Sequence, residues 1–210
     1  MKKYDALIFD LDGTLWDSSE TVCRSWNEVI KVKNCPCDLI VPDELKKLMG
    51  RPMIDFVRKF FPFAVTESQQ NEIFSLCSAF ELEHIAKYGG KLYENVEETL
   101  KALSEKYPLF IVSNCQDGYI EAFLEYFGFA KYFTDTLCPG AGETTKAENI
   151  MKICEKHGCK AAAYIGDTVT DCVSSREAGV DFIFASYGFG QTEDYDAKLS
   201  GFQELCPLLL

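Results

Sequence analysis

Two aspartates one residue apart, Asp10 and Asp12, close a short apolar run and lead into Gly13-Thr14. Adjacent carboxylates repel unless a cation sits between them, and turn chemistry alone does not require the pair. Comparable polar residues follow two later apolar runs: Ser113 and Asn114 after residues 109–112, then Gly166 and Asp167 after 161–165, with Asp171 one helical turn further on. Lys146 adds a cation at the start of a segment that Thr145 caps. Carboxylates gathered with one lysine and one hydroxyl form an oxygen-rich cage, which suits Mg²⁺ better than zinc.

These residues need a scaffold that brings distant positions together. Residues 4–9 read as a buried strand that stops at a carboxylate and a turn glycine. From Asp17 the rhythm turns helical: Asp17 and Glu20 have capping-box spacing, and Val22, Trp26, Val29 and Ile30 share a stripe. Pro42 opens a short segment ending at Gly50, and Pro52 opens another through Phe60. Thr66 with Gln69 caps a long helix carrying Ile73, Cys77, Phe80, His84 and Tyr88 on one stripe, stopped by Gly89-Gly90. Residues 16–91 therefore read as purely helical. Beyond them the spacing predicts a helix over 96–106, a strand over 109–112 and a helix over 117–127 ending at Gly128. A short apolar piece over 132–137, a helix capped by Thr145 and Glu148 and ending at His157, and a strand over 161–165 follow. A helix over 170–178 and a strand over 181–185 complete the series. Such alternation predicts an α/β fold, a three-layer Rossmann-like open parallel sheet with an all-helical segment inserted after the first strand. Ligands of open parallel sheets bind beyond the carboxyl ends of the strands, where Asp10, Asp12, Ser113, Asn114 and Asp167 fall.

A length of 210 residues fits one domain, or one domain carrying an insertion. Area scaling gives roughly 9,800 Å² of surface when folded, so about 71% of the unfolded chain's surface is buried and no staples are needed. The net charge of −12 repels polyphosphate backbones and anionic membranes, which argues for a small ligand and against nucleic acid. A basic start, Met1-Lys2-Lys3, is followed by an apolar stretch over 6–9 that Asp10 interrupts before a signal segment forms, and no apolar run approaches 18 residues. A cytoplasmic protein with reduced thiols is the expectation for the ten cysteines. Cys35-Pro36-Cys37 and the Cys154, His157, Cys159 group each lack a second ligand pair at zinc spacing, so small buried thiols are expected there.

The strand-end residues resemble the haloacid dehalogenase superfamily of phosphatases, in its phosphoglycolate-phosphatase-like and β-phosphoglucomutase-like branch. Its four motifs match Asp10-Leu11-Asp12-Gly13-Thr14, then Ser113-Asn114, then Lys146, then Gly166-Asp167 through Asp171, over the whole chain. The four fixed letters of the first motif arise by chance at about 1 in 100,000 per start, given ordinary residue usage. Ala147 follows Lys146, where many members carry proline. The resemblance implies a catalytic core over residues 1–15 and 92–210 and a helical cap over 16–91, hinged near Asp17 and Gly89-Gly90. It implies an Mg²⁺-dependent phosphatase for a small phosphomonoester: Asp10 attacks phosphorus to form an aspartyl phosphate, and Asp12 protonates the leaving oxygen and then activates water. Mg²⁺ would be held by Asp10, Asp167 and the backbone carbonyl of Asp12, and the phosphoryl oxygens by Ser113, Asn114 and Lys146. Asp171 is expected to orient metal-bound water or Lys146. A monomer or small homo-oligomer is expected. The segment Tyr187-Gly188-Phe189-Gly190 resembles a loop of the phosphoglycolate-phosphatase-like members.

Each assignment has a plainer rival. Ser113-Asn114 also suits a turn or helix cap, Lys146 a solvated first-turn lysine, and His84 a packed core histidine. Arg51, in the loop between two cap helices, is either a substrate-facing fork for a carboxylate or second phosphate, or an ordinary surface arginine. Rival activities are a phosphomutase of the β-phosphoglucomutase type, which returns the phosphoryl group to a sugar, and a receiver-like signalling domain. No Gly-x-Gly-x-x-Gly follows a strand, which argues against a dinucleotide enzyme.

Overall fold

The computed structural model describes residues 4–51, 53–140 and 144–210. Pro52 and the basic start Met1-Lys2-Lys3, both used in the sequence reading, lie outside them. Four-residue β1 (Ala6–Phe9) is apolar and buried throughout, as expected of a strand covered on both faces. A two-residue strand β2 (Trp16–Asp17) precedes the helices α1 (Ser19–Val32), α2 (Pro42–Lys46), α3 (Met53–Phe60) and α4 (Glu67–Tyr88), and β3 (Lys91–Leu92) follows them. Thereafter come α5 (Val96–Ser104), β4 (Leu109–Val112), α6 (Tyr119–Phe127), β5 (Asp135–Leu137), α7 (Lys146–His157), β6 (Ala162–Gly166), α8 (Val169–Glu177), β7 (Asp181–Ala185), β8 (Ala197–Leu199) and α9 (Leu205–Leu209).

Six strands form one sheet in the order β5-β4-β1-β6-β7-β8, and every pairing in it is parallel. Alternation along β1 sends Leu7 and Phe9 into one apolar layer with α5 and α6, and Ala6 and Ile8 into another with α7 and α8. The result is the expected three-layer α/β architecture. Accessible surface is 10229 Å², close to the area expected from chain length. Among the described residues no helix is long and apolar enough to cross a membrane.

Between β2 and β3 the described elements are helical, but the ends of that stretch are not. Trp16 pairs with Leu92 and Asp17 with Lys91 in an antiparallel ribbon, so the chain leaves and re-enters the sheet region through two adjacent strands. The Asp17–Glu20 capping box is absent, because pairing in β2 moves the helix start to Ser19. Asp17 Oδ1 accepts from the Ser19 backbone N–H and hydroxyl at 3.0 and 2.5 Å, and its Oδ2 meets Lys46 Nζ at 2.8 Å. The boxes of Thr66 with Gln69 and Thr145 with Glu148 form as the spacing predicts. The α4 stripe keeps Ile73, Cys77 and His84 inside, but Tyr88 is exposed and Glu81 is buried in its place. His84 is a packed histidine: Nδ1 lies 2.8 Å from Phe80 O, and Nε2 lies 3.0 Å from Glu28.

Candidate active site

Strand register places the first motif. Phe9 pairs with Ile111 of β4 and with Ile165 of β6, so Asp10, Ser113 and Asp167 emerge within one or two residues of each other at the same sheet edge. Asp10 is anchored by its N–H, which donates to Ile165 O at 2.8 Å. Lys146, the first residue of α7, reaches between two acids: its Nζ donates to Asp10 Oδ1 at 3.0 Å and to Asp171 Oδ1 at 2.5 Å. All three side chains are almost fully buried, so Lys146 is not a solvated lysine. Burial opposes its charge, but the Asp10 and Asp171 carboxylates outweigh it and hold the ammonium protonated.

Asp171 uses both oxygens. Thr168 caps α8 in a box with Asp171, whose Oδ2 accepts from the N–H groups of Asp167 and Thr168 and from the Thr168 hydroxyl at 3.2, 2.9 and 2.7 Å. Asp167 stands before that cap, so Asp167 and Asp171 are not neighbours on a helix face as their spacing suggests. Asp171 instead braces both the Asp167 turn and Lys146. Asp167 is enclosed by glycine backbone: a Cβ on Gly13, whose φ is +87°, would meet Asp167 Oδ2 at 2.2 Å, and one on Gly188 would meet Asp167 Cβ at 2.4 Å. Phe189 N–H donates to Asp167 Oδ2 at 2.7 Å, whereas the buried Oδ1 has no hydrogen-bond partner among the described residues. The loop around Gly188 therefore positions Asp167.

Asp12 is organised differently. Ser18 Oγ and Tyr119 OH both donate to its Oδ1, the latter at 3.0 Å. Neither Ser18 nor Tyr119 was singled out by sequence reasoning, since each acts only through tertiary approach. Burial pushes Asp12 up to about 7, against the opposing hydrogen bond from Ser18 and helped by repulsion from Asp10. Burial likewise raises Asp10 to about 6 although Lys146 pulls the other way, and burial with repulsion from Asp171 and Asp10 raises Asp167 well above the ordinary carboxylate range.

A cavity of about 490 Å³, part of it open to solvent, lies over these strand ends; Asp10, Asp12, Ser113, Asn114 and Arg51 line it. Asn114 Nδ2 donates to Gly50 O at 3.1 Å, which ties the strand end to the loop between α2 and α3. Arg51 is exposed in that loop. Sequence reasoning missed Glu81, which also lines the cavity. It accepts from Trp26 Nε1 at 2.6 Å and Gln116 Nε2 at 3.0 Å, and burial pushes it up to about 7. A usable signal existed: Glu81 stands four residues from both Cys77 and Ile85, a carboxylate inside an apolar stripe.

Ligand oxygens of Asp10, Asp167 and Asp171 lie within 4.8 Å of one another, the one potential metal-holding group found among the described residues. Three observations fit a hard divalent cation there: the donors are all oxygen, Asp167 Oδ1 is unpartnered, and the carboxylates destabilise one another. All ten cysteines are free, and none belongs to a potential metal group among the described residues.

Comparison with known proteins bears on the same elements. Residues 7–185 match the family model described as haloacid dehalogenase-like hydrolase. A phosphoglycolate phosphatase of Agrobacterium fabrum is 27% identical, the alignment covering 96% of this chain and 91% of the relative. One from Haemophilus influenzae is also 27% identical, over 89% of this chain and 88% of the relative. The fold is similar to that of a haloacid dehalogenase-like family protein of Streptococcus pneumoniae, with TM-score 0.84, 22% identity and 99% of each chain covered.

Proposed function

The chain belongs to the haloacid dehalogenase-like hydrolase family, and on that premise we propose that it is an Mg²⁺-dependent phosphatase acting on a small phosphomonoester through an aspartyl phosphate. In this reading residues 1–15 and 92–210 form the catalytic core, and residues 16–91 form a cap over it. The relatives named as phosphoglycolate phosphatases support the reaction class. The observation that carries the reading is the contrast between two aspartates at one strand end. Asp10 has one oxygen held by a buried ammonium, and Asp12 has one oxygen saturated by two hydroxyls.

Asp10 attacks phosphorus with Oδ2, since Lys146 occupies Oδ1; a phosphorus–oxygen bond forms to Asp10 as the ester bond breaks. The leaving oxygen takes a proton from Asp12. Ser18 and Tyr119 hold Oδ1 as an acceptor, so the transferable proton resides on Oδ2, and a carboxyl pushed up to about 7 exchanges it near neutrality. Asp12, now ionised, takes a proton from water as that water attacks the phosphoenzyme. Inorganic phosphate leaves, and Asp10 and protonated Asp12 are restored. Ser113, Asn114 and Lys146 supply donors for the phosphoryl oxygens. Mg²⁺ would be held by Asp10, Asp167 and the main-chain carbonyl of Asp12, with Asp171 bracing Lys146. When bound, the cation offsets the charge gathered by the carboxylates and the phosphoryl group.

Phosphate release from 4-nitrophenyl phosphate and small alkyl phosphates tests this directly, with Mg²⁺ or EDTA and with Asp10→Asn. Mg²⁺-dependent release, and acid-stable, base-labile label from ³²P substrate on wild type alone, are expected. Absence of release from every ester would overturn the reading. Isomerisation of a sugar phosphate without release would replace it by a phosphomutase.

A further inference from the structure

The cap side of the cavity has a chemistry of its own. Val22, Trp26, Met49 and Phe56 give it an apolar wall, within which Glu81 and Gln116 are the polar groups, 4% and 7% exposed. Their hydrogen bonds fix which atoms remain for a ligand. Trp26 and Gln116 both spend N–H donors on Glu81, and Tyr119 spends its hydroxyl on Asp12. By donating Nε2 to Glu81, Gln116 is pinned with Oε1 as an acceptor, and that oxygen is buried with no donor of its own among the described residues. Each Glu81 oxygen also retains a lone pair. While Glu81 is ionised the wall is therefore rich in acceptors, and the donors of Trp26 and Tyr119 are already spent.

A buried acceptor without a donor is costly, and a ligand hydroxyl recovers that cost where a methyl group does not. A ligand carboxylate fares worse once Glu81 is ionised, since it then brings a second anion against a buried carboxylate. Arg51 lines the same cavity but sits on an exposed loop, where solvent weakens its pull. We propose that this chain selects phosphate esters whose alcohol portion carries a hydroxyl donor and no carboxylate, with Glu81 and Gln116 as the specificity-determining residues. This inference rests on the phosphatase reading above. It also separates the chain from the relatives named for phosphoglycolate, whose organic part ends in a carboxylate.

Matched esters isolate the terminal group. At two carbons these are 2-hydroxyethyl phosphate, phosphoglycolate and ethyl phosphate; at three they are 3-hydroxypropyl phosphate, 3-phosphooxypropionate and propyl phosphate. Wild type should show kcat/KM at least tenfold higher for the hydroxyl member than for the carboxylate member at one or both lengths, with the alkyl member between. Glu81→Gln should shrink the hydroxyl-to-carboxylate ratio about tenfold. Gln116→Met should lower the hydroxyl-to-alkyl ratio several-fold while leaving the carboxylate penalty in place, and it decides the matter if Glu81→Gln fails to fold. A wild type that treats carboxylate and hydroxyl members alike, or prefers the carboxylate, overturns the inference, as do ratios that neither variant moves. Failure of wild type on 4-nitrophenyl phosphate and on every ester counts against the phosphatase reading instead.

Discussion

The floor and the cap side of the cavity both bury carboxylates, and they compensate them in opposite ways. At the strand tips Asp10 and Asp171 share the ammonium of Lys146, with every partner nearly inaccessible to solvent. On the cap side the donors to Glu81 among the described residues are neutral, Trp26 and Gln116. Burial raises both Asp10 and Glu81; the Lys146 ammonium opposes that rise at Asp10, and the hydrogen bonds from Gln116 and Trp26 oppose it at Glu81. In the proposed reading the floor holds charge against a transferring phosphoryl group, and the cap side discriminates among what that group is attached to.

Perturbing each region should separate these roles. Asp10→Asn should cut kcat about 10⁴-fold or more with circular dichroism unchanged, because the attacking oxygen pair is lost. A comparable loss from Glu81→Gln would erase the distinction between floor and cap. Asp12→Asn should lower kcat about 10²- to 10⁴-fold on alkyl esters, and less in the first step on 4-nitrophenyl phosphate, whose leaving group needs no acid. Single-turnover rates on the two ester types measure that gap. Lys146→Met removes the ammonium but leaves Asp10 and Asp171 buried, so urea unfolding at pH 7 should show a loss of about 3–5 kcal/mol. Acidification should recover part of it.

Glu81 supplies the smallest and most specific effect. Its folded-state value of about 7 lies above the ordinary 4.5, so between those values the native state holds more protons than the unfolded chain. Its contribution to stability is therefore lost as pH rises through that window, and it remains absent above it. Asp12 is the charged neighbour that adds to the shift. Relative to Glu81→Gln, wild type should lose on the order of 1–3 kcal/mol between about pH 4 and pH 8, read from urea midpoints at each pH. A difference that stays flat with pH would show that the neutral donors keep Glu81 ionised.

How much of this was legible beforehand depended on the range of the interactions. The strand over 109–112, that over 181–185 and the boxes at Thr66 and Thr145 are local patterns, and the structure reproduces them. The three-residue edge strand β8 is too short to carry a period, and the ribbon of β2 and β3 joins residues 74 and 76 apart in the chain, Asp17 with Lys91 and Trp16 with Leu92. Asp17 misled for a related reason: its spacing to Glu20 is right for a cap, but pairing with Lys91 and Lys46 claimed it first. The helix expected over 170–178 starts earlier, at Val169, because Thr168 and Asp171 form a capping box.

The sequence by itself determined the α/β alternation and the set of acids, hydroxyl and lysine that the sheet carries at its strand ends, because strand period, capping and turn residues act over a few positions. Only the tertiary structure decided that Lys146 stands between Asp10 and Asp171, that Ser18 and Tyr119 share one oxygen of Asp12, and that Gly188 closes on Asp167. It alone also placed Glu81 beside Gln116 in one cavity with Asp10 and Asp12. Those contacts join residues 6 to 136 positions apart. Their energies come from burial and direct approach, and a one-dimensional pattern encodes neither.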